Sequence, residues 1–293
     1  MGQPHFPRLF LLLTLSAWIA TLPACRRRAD DPPPAAARPS VACLVPAATD
    51  ILLAMDAAAH LAAISNFDPD RQPTRNLPRV GDYQGLDWEK VLAIRPDLLV
   101  VQIAPDRMPP GLGERTESAG IRLVNVRINR LGDVFTATEQ LGEAIGRPDL
   151  SASAVGRLRD RLAAVRARVE GRPNVRVYLA RGDSPFETVG GGNFLDDLLV
   201  VAGGSNVIQG GDNYFPTIDR ERLMAADPDV VVHLMPAATP QTRAAVERAW
   251  GLLGDLRAVR EGRLYFVTED FALLPGGRVG ELAELLAALL HPN

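Results

Sequence analysis

The chain has 293 residues, 47% hydrophobic and 23% charged, with a formal net charge of −3. Such a composition can bury a core and excludes wholesale disorder; its near-neutral charge excludes a general nucleic-acid binder, whose affinity comes from neutralising phosphates. Two Cys and four His exclude a disulfide framework, a thiolate zinc site and a His-rich metal cage.

Residues 1–24 read as a secretion signal. Arg8 precedes the apolar run Leu9 to Ala20, which is shorter than the about 20 residues of a membrane-spanning helix and suits a signal core. Leu22-Pro23-Ala24-Cys25 resembles the lipobox of bacterial lipoproteins, in which the Cys is lipidated and becomes the mature N-terminus. Lipidation at Cys25 is therefore expected, against an uncleaved short anchor or a plain signal peptide. Residues 25–40 carry Arg26-Arg27-Arg28 and Pro32-Pro33-Pro34 and cannot bury a core, which predicts a disordered tether. Cys43 lies in an apolar stretch and reads as a small core residue.

The body alternates short buried strands with helices. Val41 to Val45, Leu61 to Ile64, Leu98 to Val101 and Ile121 to Val126 read as strands. Thr49 and Asp50 are expected to cap a helix over Ile51 to His60, and Asp87 one over Trp88 to Ile94. Phe67 to Pro78 is polar and proline-rich, hence loop. From Leu150 to Gly171, Val155, Leu158, Leu162, Val165 and Val169 recur at spacings of three and four. That stripe predicts one long helix of about 33 Å, with Arg157, Arg159, Arg161, Arg166 and Arg168 on a solvated face. Strands resume at Val175, and Phe194 to Ala202 reads as a helix entered through the Gly190-Gly191-Gly192 turn.

Asp87 to Val100 aligns without gaps on Asp219 to Val232, placing Glu89 on Glu221, 132 positions on. Each copy is a helix with an acidic start, a proline stop and a buried strand. The pattern predicts an α/β chain of two Rossmann-like lobes, 41–149 and 172–293, joined by a single helix over 150–171, with a ligand cleft between them at the strands' carboxyl ends. There is no phosphate-binding G-x-x-x-x-G-K-[ST], no nucleophile elbow and no H-E-x-x-H.

The stretches Leu44 to Leu52, Gly81 to Glu89, Arg95 to Val100 and Gly192 to Val207 resemble, in order, the signatures of periplasmic binding proteins for cobalamin and iron–siderophore complexes. The resemblance runs from about Val41 to the C-terminus. It implies a lipid-anchored extracytoplasmic protein, not an enzyme, that captures an iron chelate or corrinoid and delivers it to the permease dimer of an ABC importer. It further implies a monomer with no cofactor beyond the carried ligand, no resident metal and no nucleic-acid partner. The pattern places Pro46, Ala47, Phe67, Tyr83, Gln102, Arg181, Tyr214, Phe215, Asp270 and Arg278 at the ligand, with Tyr83 and Phe215 as apolar walls and Arg181 or Arg278 as polar contacts. Trp88 and Trp250 fall off those positions; Tyr83, Tyr214 and His233 are the residues that could ligate a haem iron. Glu89 and Glu221 match the family's transporter-docking carboxylates, the bland alternative being two helix-start carboxylates. A metal-ion-binding lipoprotein, or a lipid-anchored enzyme on the same scaffold, are the alternatives; no nucleophile–base pair is evident for the latter.

Overall fold

The computed structural model describes residues 1–2, 38–82, 85–210 and 213–292. The chain divides at Ala37 and Arg38, and the fold below is that of the segment from Arg38 onward. Nearly all of the expected signal peptide and of the tether, the lipidation site Cys25 and Tyr83 lie outside the described residues.

The first lobe runs β1 (Val41–Cys43), α1 (Pro46–Ala54), β2 (Leu61–Ala63), α2 (Trp88–Ile94), β3 (Leu98–Val101), α3 (Leu112–Ser118), β4 (Arg122–Asn125) and α4 (Leu131–Ala144). Helix α5 (Pro148–Val169) follows. The second lobe runs β5 (Val175–Arg181), α6 (Phe194–Val201), β6 (Gly204–Asn206), α7 (Arg220–Ala226), β7 (Val230–Leu234), α8 (Pro240–Gly251), α9 (Arg257–Arg260), β8 (Leu264–Val267) and α10 (Val279–Leu290). Both sheets are parallel and share one order, β2-β1-β3-β4 and β6-β5-β7-β8. The two-lobe α/β architecture expected from the repeat is thus present.

Period-two alternation assigns each strand's faces. Val41, Cys43, Leu98 and Val100 enter a core that continues through Val177, Leu179, Val230 and Val232 of the second lobe. Their neighbours Ala42, Leu44, Leu99 and Val101 pack into a separate outer core, and Tyr178, Ala180 and Val231 into its counterpart in the second lobe. The shared core also takes Ile51 and Leu52 of α1, Leu141 of α4, Leu158, Leu162 and Val165 of α5, Leu198 of α6 and Leu286 of α10. One apolar body therefore spans both lobes.

The repeat holds at atomic detail. Asp87 caps α2 by accepting from Lys90 N at 3.1 Å, and Asp219 caps α7 by accepting from Arg222 N at 2.8 Å. Both helices end on a left-handed residue, Arg95 at φ 51° and Asp227 at φ 35°. Asp97 and Asp229 then tie the incoming strand, accepting from Ser40 N at 2.7 Å and Arg176 N at 2.9 Å.

Three expectations are corrected. Helix α1 starts at Pro46, not after Thr49 and Asp50, because proline's fixed φ and missing N–H suit a first helical position. Thr49 and Asp50 are instead buried inside the helix, where Thr49 Oγ1 donates to Asp68 Oδ2 at 3.2 Å. The helix stops at Ala54, and Ala58–His60 forms a separate short 3-10 turn. The arginine face of α5 is not simply solvated: Arg157 donates to the Ala54 carbonyl at 2.7 Å, Arg161 to Glu284 at 2.7 Å and Arg168 to the Glu284 carbonyl at 3.1 Å. These long side chains lie along the protein and reach partners on α1 and α10.

Asp68 is 5% exposed, and burial pushes its carboxyl up to about 6. The folded state therefore favours the protonated form, and the associated stability is present below pH ~4 and lost as pH rises through about 6. Asp68→Asn should remove this pH dependence and raise stability at pH 7 by on the order of 2 kcal/mol. Denaturant melts of both proteins at pH 4 and 7 check this; a stability difference that does not change with pH would refute it.

Candidate ligand-binding site

A cavity of about 770 Å³ opens at the carboxyl ends of the first lobe's strands. Its floor is the β1–α1 turn, Leu44, Val45, Pro46 and Ala47. The start of the β3–α3 loop, Gln102 to Ala104, forms one side. That loop is clamped by Asn125, which accepts from Ile103 N at 2.9 Å and donates to the Ile103 carbonyl at 2.8 Å. Arg127 and Asn129, just after β4, line the next side, and Leu274 and Pro275 of the second lobe complete the wall.

The remaining wall is a tight turn leading into α2. Gly81 sits at φ 120°, and a Cβ there would lie 2.2 Å from the Gly85 carbonyl oxygen, so the turn needs glycine. Asp82, Gly85, Leu86 and Trp88 line the cavity. The Arg115 guanidinium lies 4.4 Å from the centroid of the Trp88 ring, a cation–π contact that holds the indole in place.

Of the expected ligand residues, Pro46, Ala47 and Gln102 are brought together on this cavity. Arg181 ends β5, with its guanidinium 4.8 Å from the Phe215 ring centroid and 3.5 Å from Glu187. Tyr214 and Phe215 are exposed beside it, at 39% and 42%. They stand at the carboxyl end of the second sheet and do not line the cavity. Phe67 is also off it, 51% exposed.

Asp270 and Arg278 are placed differently from expectation. Arg278 Nη1 and Nη2 donate to Asp270 at 2.8 and 3.2 Å, and its Nε donates to Asp50 at 2.9 Å. Arg71 joins Asp50 at 2.7 Å. This network fastens the second lobe to α1, so each guanidinium nitrogen of Arg278 is engaged. Close approach makes it possible: a Cβ at Gly277 would lie 2.2 Å from the Ala54 Cβ. A second tie joins the lobes beyond Asn129, where Arg130 pairs with Asp197 and Leu131 N donates to Asp197 Oδ2 at 2.9 Å.

Two further expectations change. Trp88, expected off the pocket, lines it, whereas Trp250 is fully buried. His233 is no candidate ligand for haem iron. It is fully buried, donates from Nε2 to the Gly182 carbonyl at 2.8 Å and accepts on Nδ1 from Trp250 at 2.9 Å, with burial holding its pKa down. The cavity residues absent from the sequence reading include Leu86, Trp88, Arg107, Arg127, Leu274 and Pro275. Of these, only Leu86 and Trp88 carried a signal, their place inside the second family-like motif. Glu89 and Glu221 are exposed on the second residues of α2 and α7, one per lobe. Among the described residues no three His, Cys, Asp or Glu side chains converge as metal ligands.

A model of the periplasmic binding protein family matches residues 41–271. The vitamin B12-binding protein of Vibrio vulnificus (strain CMCP6) is 27% identical over 188 residues, 64% of this chain and 68% of that protein. That of Salmonella typhi is 26% identical over 248 residues, 83% of each chain. Among solved structures, a periplasmic vitamin B12 binding protein of Vibrio cholerae superposes with a TM-score of 0.71 at 22% identity, covering 86% of this chain and 96% of that one. A periplasmic heme binding protein from Pseudomonas aeruginosa superposes with a TM-score of 0.73 at 24% identity, covering 87% and 94%. Both structures share this fold.

Proposed function

The chain belongs to the periplasmic binding protein family, and from that premise we propose that it captures a corrinoid or a comparably bulky metal chelate and delivers it to an ABC importer. The observation that carries this reading is the roughly 770 Å³ cavity, apolar at its floor and walled by Trp88. Its size lies in the range of small-molecule sites, and a few polar groups (Gln102, Arg107, Arg127, Asn129) stand among apolar ones, as such sites require. Arg181 and Phe215 supply a polar and an aromatic contact from the second lobe. The curated relatives named vitamin B12-binding favour a corrinoid over an iron chelate.

In this reading the protein is a carrier rather than an enzyme, and the chelate is cargo rather than cofactor. It works as a monomer at the extracytoplasmic face, held by a lipid on Cys25, and presents Glu89 and Glu221 to the permease dimer. The mass of the mature N-terminal peptide tests the anchor: an unmodified Cys25, or residues 1–24 still attached, would rule it out.

Calorimetric titration with cyanocobalamin, cobinamide, haemin and a panel of ferric siderophores tests the cargo. One of them should bind saturably and quench the emission of Trp88. Trp88→Ala should weaken that binding about 30-fold, the loss expected for an aromatic anchor worth about 2 kcal/mol. No saturable heat with any of the four classes would overturn the reading.

A further inference from the structure

Two arginines of the cavity stand unmatched. Arg107 closes the short 3-10 turn Pro105–Arg107 after β3, and Arg127 follows Val126 just past the end of β4. β3 and β4 are neighbours in the sheet, with Val101 paired to Asn125, so the two arginines stand on adjacent sides of the cavity. Both line it and both are exposed. Among the described residues neither guanidinium has a hydrogen-bond, ion-pair or ring partner. The arginines at the lobe junction differ: Arg278 donates to Asp50 and Asp270, and Arg161 donates to Glu284. Asp82, the one acid among the described lining residues, accepts from Asn66 at 2.9 Å. Two arginines against one aspartate leave this lining with one positive charge in excess, in a chain of net charge −3.

An exposed arginine needs no protein partner while water solvates it, and Arg95 and Arg166 are exposed in the same way. A bulky cargo changes the balance at Arg107 and Arg127. It displaces water from the space beside them, over the apolar floor at residues 44–47. A charge that loses water and gains no partner is heavily disfavoured. Cargo that brings an anionic oxygen group removes this penalty, because guanidinium matches carboxylate and phosphate through paired N–H···O bonds. Cargo without such a group leaves the penalty in place.

Resting on the carrier reading above, we propose that Arg107 and Arg127 form an anion subsite, and that the cargo is a macrocyclic chelate whose carboxylate or phosphate group these two arginines engage. They select among chelates of similar size. Trp88 and the floor take the apolar ring, and the arginine corner requires the charge. The subsite lies wholly on the first lobe, on loops that follow adjacent strands.

Two ligand pairs test this by calorimetric titration. Cyanocobalamin has a phosphodiester that dicyanocobinamide lacks, and haemin has two carboxylates that its dimethyl ester masks. In the wild type the anionic member of at least one pair should bind about tenfold or more tighter, and the pair that shows this tells phosphate from carboxylate. In the double variant Arg107→Gln with Arg127→Gln that preference should fall to about twofold or less. The variant also separates the phosphate charge from the rest of the nucleotide loop that cobinamide lacks. Each single change should lower the preference about threefold, which keeps the test decisive if the double variant fails to fold. Equal affinities within both pairs, or a preference that survives the substitutions, would overturn the proposal and leave the carrier reading standing. Binding of a ferric siderophore but none of these four compounds would do the same. Failure of every chelate to bind overturns the carrier reading, and this proposal with it.

Discussion

Replacing Arg278 with Met lowers the thermal midpoint by roughly 10 °C, the expected result of leaving a buried carboxylate half matched. Asp50 is 2% exposed and is neutralised by two guanidiniums, one from each lobe. Burial alone already pushes its pKa up. Removing one partner of such a buried pair costs about 3–5 kcal/mol, because the charge left behind has lost its water and keeps only Arg71 against it. The second change Asp50→Asn should recover much of the loss by removing that charge. Calorimetric melts of the single and double variants decide the matter. A midpoint within 2 °C or so of wild type for Arg278→Met would mean that solvent already reaches the pair.

The double variant Glu89→Ala with Glu221→Ala should abolish uptake while leaving cargo affinity intact. The rival role for these carboxylates was support of their own helix starts, but Asp87 and Asp219 hold the cap positions. Both Glu side chains are exposed at matching places on the two lobes. A permease of two like subunits offers basic sockets in two-fold arrangement, and paired carboxylates complement it. Such contacts set encounter and orientation, so complex formation should lose most of its salt sensitivity in the variant. Transport assays in a strain lacking the wild-type protein, with cargo binding measured alongside, give the answer. Unchanged uptake would place the docking surface elsewhere.

Much of the fold was legible because its signals are local. Asp87 and its helix, the stripe on α5 and the copy of α2–β3 in α7–β7 are all written within runs of about twenty residues. The errors over Asp50 and Arg161 have one physical origin, side chains whose partners are distant in sequence. Asp50 reads as a cap from its neighbours, yet its partner Arg278 stands 228 positions away. Arg161 reads as solvated, yet Glu284 is 123 positions away. The cavity was half legible. Pro46, Ala47 and Gln102 follow strands and so fall at carboxyl ends, whereas Trp88 looked like an ordinary first helical residue, and its role depends on Arg115 beneath the ring.

The apolar body common to both lobes bears on the speed of capture. Swinging one lobe against the other would tear Leu158, Leu162 and Val165 from partners on both sides, and close-packed interiors yield only in discrete steps. A cargo molecule therefore meets a receptor already in its receiving shape. Association should be a single exponential, first order in cargo with no plateau at high concentration, because no slow rearrangement stands before or after encounter. Discrimination among related chelates would then reside in how long each remains bound, not in how quickly it arrives.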